Sequence, residues 1–350
     1  EKYPADDAAH NGLAVQYFYA LDFDKARKQG AELLDIYPSS VMGRSNYALY
    51  AMYATDFETA VAEAAQVREL DAAYFKAWLP VAIKALSDDD LEAARAAYGN
   101  MESAGIRGQL TGQLGLADAA MYAGEFEQAR ALLTDGVALA AEAGSSYFEA
   151  TMRIGLSEAL LRGGADEASM AASLLEALDT SGGLSRQVPA ALMYVEIGDV
   201  QSARLIEVAL SKVLQPQSRA YATLINAVIA LRDGDTVTAI DSLSAGIELA
   251  DLWLLRFHRG IAYLEAGYGA EALDEFRACY ERRGEASAVF LDDLPTYRYA
   301  ATLPYWTGRA QQAIGMSHDA RQSFMTFIAR RPEGDALAAD ARERMRQPGR

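Results

Sequence analysis

The sequence predicts an all-α fold, a stack of about nine helical hairpins, and three observations predict it. Alanines recur at Ala26, Ala60, Ala94, Ala129, Ala168, Ala203, Ala239, Ala272 and Ala320, with separations of 34, 34, 35, 39, 35, 36, 33 and 48. Five residues before this ruler stand Gly124, Gly163, Gly198, Gly234, Gly267 and Gly315. Twelve before it stand Ala14, Ala48, Ala82, Ala117, Ala191, Ala227, Gly260 and Gly308. Six glycines at one offset, out of 27 in 350 residues, is far above chance.

Each position in the period has a mechanical reason. Glycine ends the first helix of a repeat because it takes the left-handed conformation without steric cost. A short polar link with an N-cap candidate follows, as in Gly198-Asp199 and Gly234-Asp235, and opens the second helix. The small residue and the ruler alanine let the two helices approach closely, since crossing distance depends on the side chains at the contact. Pro38 and Pro332, twelve after the ruler, stop the second helix. A hairpin of this kind cannot bury its apolar face alone and stacks on its neighbours.

Composition narrows the function. Lys and Arg number 32 against 49 Asp and Glu, a net charge of −17. An acidic surface repels phosphate backbones and anionic lipid heads, so no nucleic acid is expected as a partner. Cys279 is the single cysteine, which excludes an intramolecular disulfide and a thiolate metal cluster. No apolar run is long enough to span a bilayer, so no direct membrane insertion is expected.

Catalytic and metal chemistry find little support. His10, His258 and His318 show neither the His-x-x-x-His nor the His-Glu-x-x-His spacing. His258 reads as a packed or surface histidine, and Cys279 as a buried inert thiol. The glycines of GQLTGQLGL, residues 108 to 116, read as sites of close helix packing rather than a phosphate loop. Asp88-Asp89-Asp90 lacks the alternating ligands of a calcium loop and reads as an N-cap for the helix opening at Leu91. The expectation is no enzyme, no cofactor and no metal in this chain.

The period resembles the tetratricopeptide repeat, W-x2-L-G-x2-Y, then A-x3-F, then P. Gly260, Tyr263, Ala272 and Phe276 carry it in the eighth repeat; Gly308, Ala320, Phe324 and Pro332 carry it in the ninth. The resemblance implies a right-handed superhelical solenoid of about nine tetratricopeptide-like hairpins. It divides the chain into residues 1–6, the tail of a truncated preceding repeat; 7–281, repeats one to eight; 282–301, an insertion; 302–332, the ninth repeat; and 333–350, a C-terminal capping helix. Tyr3-Pro4, one period before Tyr37-Pro38, carries the expectation of further repeats upstream.

In such arrays the first helix of each repeat lines a concave groove. The positions eight and seven before the ruler there are Phe18-Tyr19, Met52-Tyr53 and Met121-Tyr122, adaptable contacts suited to a bound protein or peptide. Arg153, Tyr221, Phe257, Tyr305 and Arg309 extend this candidate face, and Tyr53 and Tyr122 are expected to serve binding more than stability. The Lys and Asn positions with which related modules clamp a chaperone's carboxylate tail correspond to Asn11, Val15, Ser45 and Leu49, a departure that argues against that ligand.

The insertion RRGEASAVFLDDLPTYRYAA widens the interval between Ala272 and Ala320 to 48. Val289, Phe290, Leu291, Leu294, Tyr297 and Tyr299 are too apolar for a free loop, so it is expected to pack on the array, as a structural plug or as a groove-facing element. Thr302 is expected to cap a helix starting at Leu303, with Pro304 in its first turn. From FHRGIAYLEAG to ARQSFMTFIAR the chain resembles the repeat region that follows the catalytic domain of some bacterial serine/threonine kinases, without any kinase motif of its own. That resemblance implies a regulatory or sensor region of a signalling protein, with homo-oligomerisation as a further expectation. It places the chain on the extracytoplasmic side of a bacterial inner membrane, the cytoplasm being the alternative. The other readings are a ligand-responsive domain binding a small molecule and a stand-alone cytoplasmic scaffold.

Overall fold

The computed structural model describes residues 7–165, 174, 176–178, 183–289, 296–331 and 335–346. Ala168, Pro332, Tyr3-Pro4, Phe290, Leu291 and Leu294 lie outside the described residues. Among the described residues the chain is all α and has no strand. Within each unit the architecture is a helical repeat of packed hairpins.

Two compact units make up the chain, residues 1–119 with 282–297, and residues 120–281 with 298–350. The first unit holds α1 (Asp7–Tyr19), α2 (Phe23–Ile36), α3 (Val41–Tyr53), α4 (Phe57–Leu70), α5 (Leu79–Ser87), α6 (Leu91–Gly99) and most of α7 (Gly105–Ala123). The second holds α8 (Phe126–Glu142), α9 (Ser146–Arg162), α10 (Leu184–Glu196), α11 (Val200–Ser211), α12 (Pro216–Arg232), α13 (Thr236–Leu249), α14 (Trp253–Glu265) and α15 (Gly269–Glu281). It also holds α16 (Leu303–Ala313), α17 (Ser317–Arg330) and α18 (Ala336–Arg346). Successive helices pack as hairpins: α1 on α2, α3 on α4, α5 on α6, α12 on α13, α14 on α15 and α16 on α17.

The hairpin turns repeat one device. Gly124, Gly198, Gly234, Gly267 and Gly315 all have positive φ, between 77° and 91°. In the first three repeats the same offset falls on Leu21, Thr55 and Asp89, held at φ 63°, 66° and 62°. The fifth repeat departs from expectation: Gly163 is right-handed at φ −79° and Gly164 takes φ 82°, so that turn lies one residue later. The next residue is an aspartate in five repeats and caps the second helix. Asp22, Asp56, Asp90, Asp199 and Asp235 each accept a hydrogen bond from the backbone N–H three residues on, at 3.0 to 3.2 Å.

The ninth repeat opens differently. Helix α16 starts at Leu303 with Pro304 in its first turn, but Thr302 makes no side-chain cap. A 3₁₀ turn over Arg298–Thr302 delivers Thr302 already in the right-handed region, at φ −88° and ψ −6°, instead of the extended backbone typical of an N-cap.

Aromatic rings fill the space that the small residues leave. A Cβ added at Gly260 would stand 2.6 Å from Phe276 Cε1, and one at Gly308 would stand 2.8 Å from Phe324 Cε1. Those contacts are too close for any real methyl, so glycine is what lets each ring seat against its partner helix. Ala26, Ala60, Ala94, Ala129, Ala203, Ala239, Ala272 and Ala320 are all buried. The glycines of α7 serve close packing too: a Cβ at Gly108 would lie 2.2 Å from the Met101 carbonyl oxygen, and one at Gly115 would lie 2.1 Å from the Tyr98 ring. At the carboxy end, Ala338 and Ala341 of α18 bury against Tyr305, Phe324 and Phe327.

Candidate functional site

In the first unit, the early part of the insertion lies on the carboxy-terminal ends of first helices. A 3₁₀ turn, Arg283–Ala288, packs on α3. Its Gly284 N–H donates to Thr55 Oγ1 at 2.9 Å, and Arg283 Nε donates to Ser87 Oγ at 3.1 Å. The Arg283 guanidinium also lies 5.4 Å from the centre of the Phe57 ring. Further on, the Tyr297 N–H donates to Asp118 Oδ2 at 2.7 Å, and the Thr296 hydroxyl donates to Asp118 Oδ1. Ala286, Val289 and Tyr297 are buried. Thr55, Ser87 and Asp118 belong to repeats two, three and four, so one chain segment is held along three successive first helices.

Backbone geometry explains how closely this segment sits. A Cβ at Gly284 would stand 2.2 Å from the Met52 carbonyl oxygen and 2.6 Å from the Thr55 nitrogen. Thr55 is the β-branched member of the left-handed set, a conformation that is an outlier for its residue type. The strain sits where its hydroxyl meets the insertion.

The second unit contains a cavity of about 490 Å³. Its wall comes mainly from first helices: Met121 of α7, Leu161 of α9, Leu192 of α10, Val228 of α12, Phe257 and Ile261 of α14, and Trp306 of α16. Phe126 and Leu337 add to it, together with three arginines, Arg162, Arg298 and Arg331, and three carboxylates, Glu158, Glu196 and Asp335. Arg298 Nε donates to Glu158 Oε2 at 2.9 Å, and the Tyr299 hydroxyl donates to the same oxygen at 3.2 Å. Arg162 makes a two-pronged pair with Glu196 at 2.7 and 2.8 Å. His258 donates from Nδ1 to the Leu254 carbonyl at 2.8 Å, which leaves Nε2 as the acceptor nitrogen of the neutral ring. Burial pushes the His258 pKa below its ordinary value, against the opposing pull of the Leu254 bond and Glu196.

Arg331 completes this wall with different bonding. Its side chain is 5% exposed, its guanidinium lies 5.5 Å from the Phe126 ring centre and 5.9 Å from that of Phe327, and Asp335 is 3.7 Å from Nη1. Both Nε and Nη1 are buried with no hydrogen-bond partner.

The residues singled out from the sequence fall into three settings. Phe18, Met52, Tyr53, Met121, Tyr122, Tyr221, Phe257 and Tyr305 are buried, whereas Tyr19 is 45% exposed. Phe18 packs against Tyr53 at 4.9 Å and Phe23 at 5.7 Å; Tyr122 lies under Arg330 at 5.4 Å. The Tyr305 hydroxyl donates to Asp340 at 2.7 Å. Arg153 pairs with Glu149 at 2.9 Å and Glu176 at 2.8 Å, and Arg309 pairs with Glu265 at 3.1 Å. Met121 and Phe257 line the cavity of the second unit. Thr55, Asp118, Glu158, Arg162, His258 and Arg331 were not among the sequence candidates for binding. The signal that could have raised Asp118 is a single acid among the small and apolar residues 115–120 of α7.

His258 is thus a cavity-wall residue, and Cys279 is fully buried beside Trp253, whose indole N–H donates to the Cys279 carbonyl at 2.8 Å. Among the described residues no group of three His, Cys, Asp or Glu side chains could hold a metal ion. Among them, too, no helix is long and apolar enough to cross a membrane.

No protein-family model matches the chain, and no curated protein matches it. Solved structures do. The APC/C hetero-tetramer Cut9-Hcn1 is 12% identical over 93% of this chain and 53% of its own, with a TM-score of 0.45, so this chain spans about half the length of that one. Human IFIT1, solved as a dimer with PPP-AAAA, is 15% identical over 97% of this chain and 80% of its own, with a TM-score of 0.49. A tetratricopeptide repeat protein from Parabacteroides merdae ATCC 43184 is 15% identical over 77% of this chain and 97% of its own, with a TM-score of 0.43. At these identities, nothing those proteins bind transfers to this chain.

Proposed function

We propose that this chain is a non-catalytic helical-repeat module whose first-helix faces capture a protein or peptide segment. One observation carries the reading: in the first unit those faces hold a segment of the chain itself through its backbone. Thr55 and Asp118 accept the N–H groups of Gly284 and Tyr297, at 2.9 and 2.7 Å. Main-chain capture of this kind is indifferent to most side chains, and the buried Val289 and Tyr297 supply the anchoring. A protein partner would use the same acceptors, either beside the insertion or in its place.

The narrower role, a regulatory or sensor region of a bacterial signalling protein such as a serine/threonine kinase, is supported by the sequence resemblance of the carboxy-terminal third. A second reading, a domain that responds to a small molecule, is favoured by the cavity of the second unit.

Peptide capture is tested with the insertion supplied as a separate molecule. A chain in which residues 283–297 are replaced by a Gly/Ser linker of equal length is titrated into a fluorescent peptide of sequence 282–298, and anisotropy is read. The reading expects saturable binding to the linker-replaced chain and much weaker binding to the intact one. Absence of binding to both, with the helical circular dichroism signal intact, rejects it.

A further inference from the structure

We propose that the cavity of the second unit binds a small organic acid with an apolar body, its carboxylate seated on the Arg331 guanidinium. The cavity volume of about 490 Å³ falls within the range of small-molecule sites, and its lining follows their pattern of mostly apolar walls with a few placed polar groups.

The charged groups decide the sign of the ligand. Arg162 is saturated by Glu196, and Arg298 by Glu158, each through direct hydrogen bonds. Arg331 has only the longer ion pair to Asp335 at 3.7 Å, and Asp335 Oδ1 is engaged by the Ala338 N–H at 2.8 Å as the cap of α18. A guanidinium that is 5% exposed, with neither Nε nor Nη1 hydrogen-bonded, leaves the desolvation of those N–H groups only partly offset by the longer ion pair. Buried polar groups in folded proteins almost always have partners, so an orphan of this kind in a cavity wall points to a missing acceptor. A carboxylate supplies one, with the geometry that arginine matches best.

The site also holds the arginine in place. The Phe126 and Phe327 rings flank the guanidinium, and Gly124, at φ 77°, leaves room for it: a Cβ there would stand 2.7 Å from Arg331 Cδ and 2.9 Å from Nη1. A preorganised cation beside an apolar chamber selects an amphipathic anion over a neutral lipid or a polar metabolite. The inference is independent of peptide capture, because it concerns the second unit alone.

The test is calorimetric titration of the whole chain with octanoate and, separately, with octan-1-ol. Octanoate is expected to bind at least about tenfold more tightly than the alcohol, the scale of a hydrogen bond to a charged group. Arg331→Met is expected to erase that difference, and Leu192→Trp, which adds bulk to another lining residue, is expected to weaken both ligands. No octanoate binding, equal affinity for acid and alcohol, or binding untouched by Leu192→Trp overturns the proposal. Should Arg331→Met fail to fold, the acid-to-alcohol ratio on the unaltered chain and the Leu192→Trp result decide it.

Discussion

The hydroxyl of Thr55 accepts the backbone N–H of Gly284 at 2.9 Å, joining residues 229 positions apart in sequence. Thr55 ends the first helix of the second repeat in a left-handed conformation at φ 66°, and Gly284 is the residue that lets the insertion approach. Gly284→Ala places a methyl against the Met52 carbonyl oxygen, where no side chain can give way. The expected loss is about 1–3 kcal/mol, the usual cost of overpacking, read from urea denaturation. Full stability in this variant would mean that the insertion is not seated on α3.

Gly260 and Phe276 set the interior of a repeat in the same manner. Gly260→Ala is expected to destabilise by about 1–3 kcal/mol, because the added Cβ falls 2.6 Å from the ring. Gly12 is the control: a Cβ there has nothing within 4 Å. Equal denaturation midpoints for Gly260→Ala and Gly12→Ala would contradict the packing.

How much of this was legible in the sequence follows from the same contacts. The period is visible where a ring needs a small residue to seat against, as Phe276 does at Gly260 and Phe324 at Gly308. Turn residues are visible where they are glycine, as at Gly198, and hidden where the strain is borne by Leu21, Thr55 or Asp89. Adjacent glycines defeat the ruler: at Gly163-Gly164 the period selects the first, while the chain turns on the second. Arg331 left no local trace, because what makes it unusual is its setting against Phe126, about two hundred residues earlier.

Tyr53 and Tyr122 were expected from the sequence to serve binding. Both are buried, Tyr53 with its ring 4.9 Å from Phe18 and 5.9 Å from Phe23. Truncating a buried aromatic costs about 3–5 kcal/mol. Tyr53→Ala is therefore expected to lower the melting temperature strongly. An unchanged melting temperature would return the residue to the binding face.

His258 gives the stability a pH dependence of known sign. Its folded pKa lies below the ordinary value near 6.5 because burial disfavours the charged ring. Above about pH 6.5 the ring is neutral folded or unfolded and costs nothing. As pH falls below that, the unfolded chain takes up the proton first and stability is lost until the folded pKa is passed. His258→Gln removes this component, so its stability relative to the parent is expected to improve between pH 7 and pH 5. A constant difference across that range would place the ring in solvent.

Amide hydrogen exchange at Gly284 and Tyr297 tests most directly whether the first-helix faces hold a chain segment by its backbone. Both amides are expected to be protected well beyond free-chain rates, with protection reduced at Tyr297 by Asp118→Ala and at Gly284 by Thr55→Val. Exchange of both amides at free-chain rates in the intact protein would contradict that hold.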